Sequence, residues 1–161
     1  MRRKDREMKD MAEILAVVTA ENVCSVAIQD EPCPYLVPMN YGADMEDGRL
    51  ALYFHGAKAG RRAELLKGQP KVSFTILGAH ELRMDAENPG KSTTGFESVC
   101  GFGQAEVLFG EERKKGLAVL MNHLGRPSGA SFSSEDFSGP SCDNALVWRI
   151  VTEEVTGKRH E

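Results

Sequence analysis

The sequence predicts a mainly β protein, an antiparallel barrel with peripheral helices, and three observations support this. Short alternating segments rich in β-branched and aromatic residues outnumber the helical ones. Hairpin signals such as Asp47-Gly48 join these segments, whereas a parallel sheet would need a helical crossover each time. The chain has 161 residues without internal repeats or a linker, so a single domain is expected over 1–161.

The first half of the chain predicts two helices and three strands. Asp10 and Glu13 have the spacing of a capping box at the start of the first helix. Gly68 stands where a glycine commonly ends a helix, here the second one. The expected elements are helix 10–20, strands 23–29, 35–41 and 50–55, and helix 60–67.

The second half is dominated by strands that surround one amphipathic helix. Gly101 and Gly103 lie inside the longest of these strands, where they predict a bulge or a close backbone approach. Residues 126–143 are rich in Gly, Ser and Pro and are expected to form a mobile loop. The expected elements are strand 71–77, a short strand 80–84, strand 97–109, helix 111–123 and strand 145–155.

Charge and hydropathy exclude two broad classes of function. The net charge of −4 argues against a nucleic-acid-binding protein, which needs a basic face. The longest apolar run near the N-terminus, residues 14–18, is too short for a signal peptide core or a membrane span. We therefore expect a cytoplasmic protein that does not bind a membrane.

Motifs for metals and nucleotides are also missing. The four cysteines contain no CxxC pair and the four histidines show no i,i+4 spacing, so no metal site is expected. Residues 53–68 lack the Walker pattern. The glycines at 101 and 103 begin a GxGxxG motif, but Glu106 occupies its third glycine position and the segment lies within a strand.

The stretch 53-YFHGAKAGRRAELLKG-68 suggests a site for an anion. A strand leads into a helix start that carries Lys58, Arg61 and Arg62, and an arginine can grip a phosphate with two parallel hydrogen bonds. Gly56 and Gly60 would let the backbone approach a ligand closely. The alternative is a basic helix start that faces water.

The segment 37-VPMNYG-42 is a weaker signal. Asn40 could hydrogen-bond a planar heterocycle and Tyr41 could stack on one, because both end a strand. Alternatively, the Asn40 side chain could hydrogen-bond backbone groups of the turn that follows it.

Six segments occur in an order that is similar to a known family: MRRKDRE, PYLVPMNYG, YFHGAKAGRRAELL, KVSF, FESVCGFGQAE and IVTEEVTGK. Together they resemble the pyridoxamine 5′-phosphate oxidase-related flavoproteins, in the branch named for 5-nitroimidazole antibiotic resistance. The resemblance covers about residues 2–159. It implies a split β-barrel that forms a homodimer and binds FMN, with FAD as the alternative, between its two subunits.

Within this resemblance the anion is the flavin phosphate, held by Lys58, Arg61 and the turn at Ala57. Arg62, one position further round the helix, is expected to face water. The other implied cofactor contacts are Pro38, Met39, Asn40 and Tyr41 beside the isoalloxazine, His55 facing the cleft, Ser98 and Val99 on the long strand, and Trp148 and Lys158 from the partner subunit.

The implied function is an oxidoreductase that reduces nitro-aromatic or quinone-like molecules, with His55 as proton donor. Two alternatives are a flavin-binding or sensing module without turnover and a haem-binding relative with His55 or His80 as axial ligand. Phe96 and Glu97 depart from the Tyr or Arg that the family often has before Ser98, so the substrate is not carried over.

Overall fold

The computed structural model describes residues 3–160, apart from the side chain of Ser141, and within them one antiparallel sheet dominates. Its strands are β1 Glu7–Met8, β2 Val23–Ile28, β3 Tyr35–Asn40, β4 Gly42–Glu46, β5 Arg49–Ala57, β6 Lys71–Arg83, β7 Thr93–Leu108 and β8 Ala145–His160. The helices are α1 Met11–Ala20, α2 Arg61–Leu66, α3 Gly110–Gly125 and α4 Pro140–Asp143. Short 3-10 turns cover Lys4–Arg6, Pro89–Lys91, Arg126–Ser128 and Ser134–Asp136.

The strand order is β3-β2-β6-β7-β8-β5-β4, with β1 paired to β8. β3 and β4 follow each other directly in the chain, yet they stand at opposite ends of this order. The sheet therefore curls until its two end strands come close together. Tyr41 is the single residue that connects β3 to β4. The predicted fold class, an antiparallel split barrel with peripheral helices, is confirmed.

β4 was absent from the prediction because its sequence, GADME, shows no apolar alternation. Tertiary packing explains its glycine: a Cβ on Gly42 would collide with the backbone of Leu120 in α3. The hairpin that follows is confirmed, since Asp47 and Gly48 have φ of 48° and 76°, as a type I′ turn requires.

The long strands were predicted too short. The predicted strands 71–77 and 80–84 form one strand, β6, which ends at Arg83 and whose pairing with β7 shifts register between Leu77 and His80. The predicted bulge on β7 is confirmed by a second shift between Phe102 and Gly103, where β7 pairs with β8. Irregular register breaks the period of two on which strand prediction depends.

Two clusters of apolar side chains stabilise this arrangement. The larger fills the barrel, where the rings of Phe54 and Trp148 stack with centroids 4.3 Å apart. The smaller cluster includes Tyr53, Leu117 and Val147 and joins α3 to the sheet. None of the helices within residues 3–160 has the length and apolar character to cross a membrane.

Residues 126–143 are more structured than a plain loop. They contain two 3-10 turns and α4. Asn122 of α3 holds the segment through two hydrogen bonds with the backbone of Phe132, at 2.9 and 2.7 Å.

Candidate functional site

Three cations gather where β5 ends and α2 begins, but they differ in their partners. Arg61 makes a two-pronged ion pair with Asp30, the residue that lies beyond the end of β2. This hydrogen bonding holds the pKa of Asp30 below its ordinary value. Lys58 is exposed, and no ion pair among the described residues includes Lys58 or Arg62.

The expectation that Arg62 faces water is wrong. Arg62 is half-buried, and its guanidinium lies over Gly56 so closely that a Cβ there would collide with Nη2. Nη1 lies 3.2 Å from Sδ of Met39, a weak acceptor. Nε is enclosed and has no hydrogen-bond partner among the described groups. This positive charge is therefore poorly compensated by the protein.

The strand β3 presents its predicted residues on two faces. Pro38 and Asn40 are exposed on the outer face, whereas Met39 points into the barrel. Asn40 donates a hydrogen bond to the carbonyl oxygen of Asn22 at 3.1 Å, so its side chain satisfies local backbone.

Tyr41 follows β3 and its side chain lies in the core of the barrel. Its side chain is fully buried, and its hydroxyl donates to the carbonyl oxygen of Val18 at 2.7 Å. Burial raises the pKa of this phenol. The side chain of Tyr41 is therefore part of the core, and a contact between Tyr41 and a cofactor stays a prediction for its backbone groups.

The outer face of the sheet aligns several of the predicted residues in two neighbouring rows. Strand register gives the first row as Pro38, Ser25, Thr75, Cys100 and Thr156. Extending that register gives the second as Asn40, Val23, Leu77, Ser98 and Lys158. Because neighbouring strands lie about 4.8 Å apart, Asn40 and Ser98 are about 14 Å apart across the face.

The side chains of Val99 and Trp148 are enclosed in the core, and their predicted part in cofactor binding stays a prediction. Val99 points into the barrel with no exposed surface, opposite to Ser98 on the outer face. Trp148 is also fully enclosed and stacks on Phe54, so its ring cannot reach a neighbouring subunit. Lys158 stays accessible, and its Nζ lies 5.2 Å from the ring centroid of Phe96.

His55 is exposed near the end of β5, and Ala57 follows it on the same face. Alternation places the His55 side chain on the opposite face of β5 from Gly56, where Arg62 lies. The structure thus brings Met39 and Arg62 together and leaves His55 on the other side of the strand.

Sequence reasoning missed Asp30 and undervalued Arg62. Asp30 lies 31 positions before Arg61, in a turn whose sequence gives no sign of its partner. The available signal for Arg62 is Gly56, because a glycine leaves room for a close neighbour. The sequence suggests a ligand as that neighbour, whereas the structure places the Arg62 guanidinium there.

The sequence pattern of one known family, described as pyridoxamine 5′-phosphate oxidase, matches residues 10–159. The chain belongs to this family. The resemblance inferred from the ordered segments is thereby confirmed, and the family match spans every strand from β2 to β7 and nearly all of β8. No curated protein matches the chain.

Solved structures with the same fold include proteins named for 5-nitroimidazole antibiotic resistance and for FAD binding. A Bacteroides thetaiotaomicron protein named, provisionally, for 5-nitroimidazole antibiotic resistance is 28% identical, with a TM-score of 0.76 over 95% of this chain and 86% of its own. A Mycobacterium smegmatis FAD and haem binding protein is 17% identical (TM-score 0.77; 97% and 74% covered). A Mesorhizobium loti FAD-binding protein is 22% identical (TM-score 0.63; 97% and 98%). The last two structures support only the fold of this chain, because their sequence identities are low.

Proposed function

We propose that the chain is a flavin-dependent oxidoreductase whose cofactor phosphate binds Lys58 and Arg62. The observation that supports this most is the half-buried Arg62 guanidinium, which within residues 3–160 has an enclosed Nε without a hydrogen-bond partner and forms no ion pair. A partly buried cation without a counter-ion is costly for a fold to keep. An anion supplied from outside would remove that cost.

The residues present fit a flavin phosphate. A planar guanidinium can bind two phosphate oxygens, and the exposed Lys58 adds a mobile point charge. Arg61 takes a lesser part in the proposal than the sequence assigned to it, because Asp30 already neutralises it. The single phosphate of FMN has enough oxygen atoms and charge to bind both Lys58 and Arg62.

The isoalloxazine would lie along β3, next to Pro38 and Met39, since Met39 already contacts Arg62. β3 ends the sheet order, so one of its edges has no strand partner in the part of the chain that the structure describes. Unpaired backbone groups at such an edge are available to a heterocycle.

A second copy of the chain would complete the site. Val23, Leu36 and Leu77 are 49%, 67% and 59% exposed on the outer face, which is unusual for large apolar side chains unless they are covered. Packing two outer faces together would bury them. It would also allow Ser98 and Lys158 of one subunit to approach the β3 edge of the other.

When bound, the flavin supplies two-electron chemistry between a reductant and an acceptor. The chain would bind the phosphate, orient the ring and exclude water. His55 stays our candidate for moving a proton, because an imidazole has one nitrogen that donates and one that accepts, and this side chain is exposed. The 28% identical neighbour named for nitroimidazole resistance favours a nitro-aromatic acceptor.

The visible spectrum of the purified protein tests the proposal. We expect the two bands of oxidised flavin, and a haem Soret band without them would overturn the cofactor assignment. Anaerobic titration with NADH or NADPH, followed by a nitro-aromatic compound, tests the activity. If no reductant bleaches the flavin, the chain is a flavin-binding module and not an oxidoreductase.

A further inference from the structure

A cavity of about 410 Å³ lies between α2, the end of β7 and the starts of α3 and β8. This volume is within the range of small-molecule sites, about 300–1,000 Å³. Its walls are mostly apolar, and Leu66, Val107, Leu146 and Val147 are among the side chains that form them. The flavin ring proposed along β3 uses none of these residues.

An aromatic ring stands at the boundary between this cavity and water. Phe109 lines the cavity and is 74% exposed, so one part of its side chain faces the cavity while most of it faces solvent. Aromatic rings stack favourably on other rings, with centroids about 4.5–7 Å apart. The cavity therefore suits a ligand that has a planar ring.

The cavity also has a cationic edge, formed by Lys58, Lys67 and Arg113, and no Asp or Glu of the described residues lines it. Lys67 is paired with Glu64 at 2.6 Å, and Arg113 is paired with Asp143. Lys58 is exposed and forms no ion pair within residues 3–160. The charge of Lys58 is therefore the one at this edge that is available to an anion.

We propose that this cavity is a second small-molecule site, for an aromatic carboxylate, and that its ligand competes with the flavin phosphate for Lys58. The apolar walls and Phe109 would bind the ring. Lys58 would bind the carboxylate through a charge-assisted hydrogen bond at the edge of the cavity.

Lys58 connects this cavity with the proposed phosphate site. It lies in the segment between β5 and α2, it lines the cavity, and it is one of the two cations proposed to bind the phosphate. Ala63, which also lines the cavity, directly follows Arg62. One ammonium group shared by two anions makes each ligand lower the affinity for the other by the same factor. The cavity site stands without the proposed function, whereas this competition rests on it.

Two probes that share a ring and differ in charge test the site: 2-naphthoate and the neutral 2-naphthylmethanol. Isothermal titration of the full chain should show naphthoate binding roughly tenfold more tightly, the scale of one charge-assisted hydrogen bond. Lys58→Met should remove most of this preference and leave the affinity for the alcohol unchanged. Lys91→Met is the matched control, because Lys91 is exposed in the turn before β7, at the opposite end of that strand from the cavity.

Phe109→Ala tests the place of the ring. It should weaken both probes by roughly three- to tenfold while the preference for naphthoate stays. Leu82→Ala, at a residue 66% exposed near the far end of β6, should bind both probes as wild type does. Equal affinities of wild type for the two probes, a preference that Lys58→Met retains in full, or wild-type affinities in Phe109→Ala would overturn the site.

Flavin titrations with and without saturating naphthoate test the competition. Naphthoate should lower FMN affinity by about fivefold or more and leave riboflavin affinity unchanged, because riboflavin has no phosphate. This effect should disappear in Lys58→Met. Unchanged FMN affinity, or equal weakening of both flavins, overturns the competition for Lys58. A chain that binds neither flavin overturns the proposed function and the competition with it, while the naphthyl titrations still decide the cavity site.

Discussion

Arg149 and Arg62 are both largely enclosed arginines, but the protein treats their charges differently. Arg149 on β8 is 16% exposed and lies within 3.2 Å of three carboxylates, on Glu46, Glu106 and Glu112. Arg62 on α2 has a thioether sulfur as its hydrogen-bond acceptor and an Nε with no partner among the described residues. A charge that the chain compensates itself stabilises the fold, whereas one left uncompensated suggests a ligand.

The Arg149 network joins four strands to α3. Its members are Glu46 on β4, Tyr53 on β5, Glu106 on β7, Arg149 on β8, and Glu112 and Lys115 on α3. Replacement of Arg149 by Met should therefore have the largest effect. It leaves Glu46, whose side chain is 15% exposed, without its closest cation, and should cost about 3 kcal/mol of unfolding free energy.

Urea denaturation measures this loss, with Arg49→Met as the control on an exposed arginine of β5. If Arg149→Met is as stable as the control, the network contributes no structural stability and the comparison with Arg62 fails.

Arg62→Met should have the opposite profile. Removal of an uncompensated cation should leave unfolding free energy unchanged or slightly higher. FMN affinity should fall by roughly tenfold or more, because a charge-assisted hydrogen bond is worth about 1.5–3 kcal/mol. Isothermal titration measures the affinity. Lys67→Met, at the C-cap of the same helix and paired with Glu64, is the control and should bind FMN as wild type does.

Acid should weaken the fold through Glu46. Burial by itself would raise the pKa of Glu46, but the hydrogen bond from Tyr53 and the charges of Arg149 and Lys115 lower it below its ordinary 4.5. Its contribution to stability is therefore complete above pH 4.5 and is lost as pH falls through the lower pKa of the folded state.

Glu46→Gln should be less stable than wild type at neutral pH and should lose less stability on acidification. Denaturation midpoints measured from neutral pH down through this range would show it. Equal pH slopes for the two proteins would contradict the assignment.

Asp30→Asn should have the smallest effect. It frees Arg61 from an ion pair whose arginine is exposed although the Asp30 side chain is only 12% exposed, and pairs open to water on one side contribute about 0–1 kcal/mol to stability. FMN affinity should rise slightly, because a third cation becomes available to the phosphate. A clear loss of FMN affinity by titration would instead mean that Asp30 orients Arg61 for binding.

The sequence predicted the barrel and most of its elements, because alternation, capping and turn signals are local. It missed β4, whose glycine is explained by the approach of α3. It placed the anion site at residues 53–68, but it ranked Arg61 above Arg62. The partners that distinguish the two arginines, Asp30 for Arg61 and Met39 for Arg62, are distant in the chain and approach them only in the fold.

The same limit applies to the other site residues. Val99 and Trp148 lie on strands of the family pattern, and only the structure shows that their side chains fill the core. Conversely, register places Asn40, Ser98 and Lys158 in one row across the outer face, although 118 positions separate the first from the last in the sequence.

The central claim is that Arg62 binds the phosphate of a flavin, and riboflavin tests it most directly because it lacks that phosphate. FMN and riboflavin affinities are compared by titration in wild type and in Arg62→Met. We predict that wild type prefers FMN by roughly tenfold or more and that Arg62→Met loses most of this preference without weakening riboflavin binding. Equal affinities of wild type for the two flavins, or an FMN preference that Arg62→Met retains in full, would contradict the account.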